Sequence, residues 1–198
     1  MKTNESTNKV LNIVWPIALI ALLTAVDQII KAIVVKTLPY HQPVTAIEGL
    51  LNWTYTTNTG GGFSILAGKT FFLVASTAVL MGAMAWLYCK GWLQNIWGRL
   101  SVLLIIAGGI GNMIDRVFND GHVVDFIDIS PIFSFPIFNF ADCCVTVGGI
   151  LFCVYIAFMH KFSDEEKKQE EAEAVEEAET EETETVEAAE ESAEDETI

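Results

Sequence analysis

The sequence predicts an all-α membrane protein: a four-transmembrane-helix bundle with a short β segment and a disordered acidic C-terminal tail. Two features of composition and one of placement lead there. Hydrophobic residues make up 52% of the 198, yet the formal net charge is −15. The conflict disappears when the chain is divided at Ser163. Residues 163–198 hold two lysines against eighteen acids, whereas the residues before them hold nine basic side chains against eight acids. The body is nearly neutral and apolar, in four segments long enough to cross a bilayer. Its polar residues gather at the ends of those segments, and ionisable groups at membrane depth are costly and usually functional.

The chain opens polar, with Lys2 and Lys9, then runs apolar from about Leu11 to Val35, interrupted by Asp27, Gln28 and Lys31. That run exceeds the apolar core of a cleaved signal and reads as a retained helix. Pro16 is expected in its first turns, where a missing N–H costs least. Leu51–Thr56 alternates, is rich in aromatic and β-branched residues, and predicts a short amphipathic strand leading into Asn58-Thr59-Gly60-Gly61-Gly62-Phe63. No Lys-Ser/Thr directly follows those glycines, which argues against a phosphate loop.

Thr70–Tyr88 is the second span, Leu100–Ile114 (continuing to about Phe118) the third, and the fourth runs from about Ile137 to Met159. Gly108, Gly109 and Gly111 in the third and Gly148 and Gly149 in the fourth let helices approach closely. Between these spans Asn119-Asp120-Gly121 signals a turn, and the stretch with Asp125, Pro131 and Pro136 reads as a loop. The Glu/Ala/Thr-rich tail reads as solvated and disordered, giving a membrane domain over 1–162 and a tail over 163–198. Cys89, Cys143, Cys144 and Cys153 fall in or beside apolar segments and read as buried, inert thiols. There is no CxxC, and His41, His122 and His160 lie far apart, so no metal site is expected. The near-neutral body offers no basic footprint for nucleic acid.

Four spans put both termini on one side. That side carries Lys2, Lys9, Lys90, Arg99, Lys161, Lys167 and Lys168; the other carries Lys36 and Lys69. The positive-inside rule then places both termini in the cytoplasm. Under that topology Asp27 and Lys31, the glycine stretch, Asn112 with Asp115 and Arg116, the Asp125 loop, and Asn139 with Asp142 all converge on the outer face. Asp27 and Lys31 are i,i+4, Asn112 and Arg116 are i,i+4, and Asn112 and Asp115 are i,i+3, so each set shares a helix face. Asp27–Lys31 reads as an ion pair joining helix ends. Asp115–Arg116 reads as a supporting network in which the acid stays ionised beside an arginine. Asp125 and Asp142 remain as the pair most free to share a proton. Two carboxylates held close cannot both ionise easily, so one keeps a proton while the other acts as base, as in aspartyl peptide hydrolysis. The spacing leaves a second reading equally open, with Asp125 capping a loop and Asp142 an N-terminal helical turn.

The motifs DQIIK, NTGGGFS, GGIGNMIDR, GHVVDFID and FNFAD, in this order over residues of roughly 10–160, closely resemble those of lipoprotein signal peptidase, the signal peptidase II family. The resemblance implies a bacterial inner-membrane aspartyl protease with four transmembrane helices and a small extracytoplasmic β-cradle. It implies cleavage of diacylglyceryl-modified prolipoproteins just before the lipidated cysteine, with Asp125 and Asp142 as the catalytic dyad. Asp27, Lys31, Asn58, Gly60, Gly108, Asn112, Asp115, Arg116, Asn139 and Ala141 match supporting positions. No cofactor is implied, because carboxylates activate the water. The implied partners are the lipidated substrates, membrane lipids and globomycin-type cyclic peptide inhibitors, with the chain acting as a monomer. The sequence departs from the family pattern in a loop one residue longer before VVDF, in Gly61-Gly62 where alanines are usual, and in Cys143-Cys144 where a small hydroxyl residue is common.

Two other classes compete. A proton-coupled transporter would place its acids near the bilayer midplane on broken helices, whereas these gather at one end. A membrane scaffold recruiting a partner through the tail leaves the aspartates unexplained.

Overall fold

Helix α1 (Lys2–Thr37) begins well before the apolar run does, so Pro16 lies inside it rather than in its first turns. An interior proline removes one backbone hydrogen bond and costs about 3 kcal/mol. In an apolar segment, leaving the helix would strand more backbone groups than that one, and the helix continues through. The computed structural model describes residues 2–60, 68–93 and 95–158; Gly61-Gly62 and the tail from residue 163 lie outside them. The chain divides into two units, Met1–Cys153 and Val154–Ile198, and the polar motifs fall in the first.

Among the described residues four helices are long and apolar enough to cross a membrane: Ile13–Thr37 of α1, α2 (Thr70–Cys89), α3 (Ile96–Phe118) and α4 (Phe140–Phe158). Helix α3 is the central one, packing against both α1 and α2. Its N-terminus is capped by the Asn95 side chain, which accepts from the Gly98 N–H at 2.9 Å. At its other end Asp120 and Gly121 adopt left-handed φ values of 51° and 87°. The Gly121 N–H then closes onto the Arg116 carbonyl at 3.0 Å.

Close approach explains the glycines of α3. A Cβ at Gly108 would collide with the Ala141 carbonyl oxygen and Val145, and one at Gly111 would meet Asp27 Oδ2 at 2.6 Å. Gly148 likewise lies against Ser101 and Ile105, but Gly149 has open space around it and serves no such contact. The thiols need a correction too. Only Cys144 is buried; Cys143 is half-buried, and Cys89 and Cys153 are exposed. An apolar helix surface can face lipid, so an apolar sequence neighbourhood does not imply burial in protein.

Three strands form an antiparallel sheet in the order β1 (Val44–Ile47), β2 (Leu51–Asn58), β3 (Val123–Asp128). Asp125 therefore lies within a strand, opposite Thr56, not in a loop. All β3 side chains but Ile127 are buried, so the strand lacks the alternation that marks a half-exposed one. Val124 and Phe126 pack with Val34 of α1, and Ile30, Leu38, Tyr55 and Phe140 surround them. This cluster seats the sheet on the end of α1 where Asp27 and Lys31 lie.

Candidate active site

Asn139 sits where α4 begins, is fully buried, and joins the acids on either side of it. It forms a reciprocal cap with Asp142. The Asp142 N–H donates to Asn139 Oδ1 at 2.9 Å, and the Asn139 N–H donates to Asp142 Oδ2 at 3.1 Å. Asn139 Nδ2 also donates to Asp125 Oδ1 at 2.6 Å. One amide thus ties strand β3 to helix α4 and brings the two carboxyl groups onto one cleft of about 620 Å³. The remaining oxygen of Asp142, Oδ1, accepts from Asn112 Nδ2 at 2.8 Å. Asp142 does cap the helical turn while still reaching the cleft. Asp125 lies within a strand and takes a side-chain donor, Asn139 Nδ2, rather than capping a turn among the described residues.

Burial and the neighbouring Asp142 push the Asp125 carboxyl from its ordinary value of 3.8 to about 7, against hydrogen bonds from Asn139 and Asn58 and the charge of Lys31. Asp128, on the same strand, behaves oppositely. Burial alone would raise its pKa, but hydrogen bonds from Ser130 and Thr54 lower it below the usual carboxylate value. Asp128 is a structural acid, taking the Thr54 hydroxyl at 2.8 Å and the Ser130 N–H at 3.0 Å.

Behind the cleft lies a second set of acids. Asp27, Lys31 and Asp115 are all at most 3% exposed. Lys31 Nζ lies 2.9 Å from both Asp27 Oδ2 and Asp115 Oδ2. The expected Asp27–Lys31 pair is thus a three-member cluster, and the cation beside Asp115 is Lys31 rather than Arg116. Arg116 turns to backbone instead, donating to the Gly60 carbonyl at 2.9 Å and the Asn112 carbonyl at 3.2 Å. A residue at i+1 on a helix points about 100° away, which is why adjacency to Asp115 misleads. Gly60 itself donates its N–H to Asn58 Oδ1 at 2.8 Å. Ala141 is buried against Gly108 and gives its N–H to Asp27 Oδ1 at 3.0 Å.

Gln28 is the residue that sequence reasoning passes over. Its amide nitrogen reaches Asp27 Oδ2 at 3.1 Å, Asp115 Oδ1 at 3.0 Å and the Gly111 carbonyl at 3.1 Å. The available signal was its position beside Asp27 in an otherwise apolar run.

The family model described as signal peptidase (SPase) II matches residues 19–158, more than half of the chain. The chain belongs to the signal peptidase II family. Membership makes it a peptidase, hence a hydrolase, carried on membrane-crossing helices. Among similar family members are a lipoprotein signal peptidase from Streptococcus thermophilus (strain CNRZ 1066), 42% identical over 69% of this chain and 87% of the relative, and one from Nostoc punctiforme, 40% identical over 73% and 88%. A solved bacterial membrane enzyme, determined by the in meso method, superposes with a TM-score of 0.69 at 34% identity, covering 77% of this chain and 92% of that one. The signal peptidase II match spans every polar motif described above and stops short of the tail.

Proposed function

We propose that this chain is an intramembrane aspartic endopeptidase that removes the signal peptide from diacylglyceryl-modified prolipoproteins, cutting before the lipidated cysteine. The observation that carries the reading is the joining of Asp125 and Asp142 through buried Asn139 on one cleft. The cleft is polar at Asn58, Asn112, Arg116 and the two aspartates, and apolar at Ile129, Phe135, Phe138 and Val147. A lipidated peptide has the same two characters.

The two carboxyl groups share one proton. Asp142 sits in the first turn of α4, where it accepts from the Asn139 N–H at 3.1 Å and from Asn112 Nδ2 at 2.8 Å, an arrangement suited to a carboxylate, while burial and Asp142 raise Asp125 to about 7. Asp125 therefore holds the proton and Asp142 is the base. Asp142 takes a proton from water as its oxygen attacks the scissile carbonyl carbon. Asp125 donates its own proton to the carbonyl oxygen, and the proton on Asp142 then goes to the leaving nitrogen as the C–N bond breaks and a hydroxyl of the tetrahedral intermediate returns its proton to Asp125. A water and a peptide bond become a carboxyl group and an amine, and no cofactor takes part.

The charge pattern supports both termini in the cytoplasm with the cleft at the extracytoplasmic face, and the family resemblance supports the bacterial inner membrane. It acts as a monomer among membrane lipids, with globomycin-type cyclic peptides as inhibitors. Purified protein is expected to cleave a diacylglyceryl-modified prolipoprotein peptide in a globomycin-sensitive way. Asp125→Asn and Asp142→Asn should each lower turnover by about 10²- to 10⁴-fold. Near-wild-type turnover by either folded variant would overturn the dyad, and an extracytoplasmic signal from a reporter fused at Ile198 would overturn the topology.

A further inference from the structure

Each proposed catalytic aspartate follows a residue whose backbone N–H is held by another buried acid. Val124, before Asp125, donates to Asp115 Oδ2 at 3.1 Å. Ala141, before Asp142, donates to Asp27 Oδ1 at 3.0 Å. The two holding acids come from different helices, α3 and α1, and meet at one atom. Lys31 Nζ lies 2.9 Å from each of them. Its third proton goes to Asn112 Oδ1 at 3.1 Å, and Asn112 in turn donates to Asp142. An ammonium has three N–H donors, and all three are engaged in fixing the surroundings of the cleft.

We propose that Lys31 is a positioning residue that sets the separation of Asp125 and Asp142, by clamping together the two acids that hold the backbone just ahead of each. This rests on the dyad reading of the cleft. Lys31 touches neither the cleft nor the reacting atoms; it acts through Asp115 on β3 and through Asp27 on the first turn of α4. Without its charge, Asp27 and Asp115 face each other unneutralised, and the two catalytic backbones are free to separate. Displacement of catalytic groups by about 1 Å costs on the order of 10²-fold in rate.

The test is Lys31→Gln, which retains amide donors but removes the charge. Folding is followed by thermal melting and by binding of globomycin, which reports an intact cleft. A folded, inhibitor-binding variant is expected to show kcat lowered about 10²-fold with KM little changed. A second readout separates positioning from simple support. Asp125 is faced by Asp142 from α4, Asn139 at its start, Asn58 from β2, Lys31 from α1 and Arg116 from α3. Asn139, Asn58 and Lys31 all favour the ionised form of Asp125, and Lys31 does so through its charge. Its removal should therefore move the alkaline limb of kcat/KM to higher pH.

Wild-type kcat and an unmoved limb in folded Lys31→Gln would overturn the proposal. Should that variant fail to fold, Lys31→Gln/Asp115→Asn removes the stranded charge while keeping an acceptor for the Val124 N–H. It is expected to fold with the same kcat loss. Wild-type kcat there, or failure of both variants to fold, would overturn the proposal as well. Retained turnover in Asp125→Asn or Asp142→Asn would remove the dyad instead. Loss of turnover in those two with wild-type kcat in Lys31→Gln would remove only the role of Lys31.

Discussion

Helices α2 and α3 look alike in sequence and differ in almost everything else. Both are about the length of a bilayer core, and α2 is the more apolar. Yet α2 has a single buried residue, Leu73, whereas α3 has eleven. Hydropathy registers the cost of leaving the membrane, which is the same for a helix facing lipid and for one surrounded by protein. What places α3 at the centre is the run of small and polar residues toward its C-terminal end. Gly108 and Gly111 admit α4 and Asp27, while Asn112, Asp115 and Arg116 supply bonds that lipid cannot replace.

Substitutions that test this contrast should differ in size accordingly. The largest effect is expected at Asp115→Ala, which leaves the buried Lys31–Asp27 pair one partner short and frees the Val124 N–H. A loss of about 3–5 kcal/mol follows, read by denaturant unfolding in micelles. Gly108→Ala should cost about 1–3 kcal/mol through overpacking against Ala141 and Val145, with a drop in turnover because Ala141 precedes Asp142. Gly82→Ala in α2 makes the opposite case. Apart from the helix's own backbone and the adjacent residues, no heavy atom of the described residues lies within 4 Å of the added methyl, so melting should rise by the equivalent of up to about 1 kcal/mol. Equal losses at Gly82 and Gly108 would break the contrast.

The same distinction explains what the sequence made legible. The four spans were readable because length and apolarity suffice for them, and β2 because the polarity of Leu51–Thr56 alternates along the sequence. Strand β3 was not, since burial on both sides erases the period of two. Pro16 was misplaced because polar residues 2–10 continue the helix beyond the apolar run. The partner of Asp115 was misassigned because adjacency in sequence favoured Arg116, whereas Lys31 arrives from another helix. Gln28 was passed over because its three partners are separated from it by sequence or share its own turn. Motifs name the participants of a site; the third dimension decides which of them touch.

The central claim is that Asp125 and Asp142 hold one proton between them. Asp125 is raised by burial and by Asp142 from 3.8 to about 7. Between those values the folded protein keeps a proton that the unfolded chain has released. This group's contribution to stability is therefore fully present below about pH 4 and lost as the pH rises through about 7. In the proposed mechanism catalysis follows the same proton. The most direct measurement is kcat/KM for a lipidated prolipoprotein peptide as a function of pH. The account predicts a fall with a single-proton limb near pH 7. A rate that stays level from about pH 5 to pH 9 would contradict it.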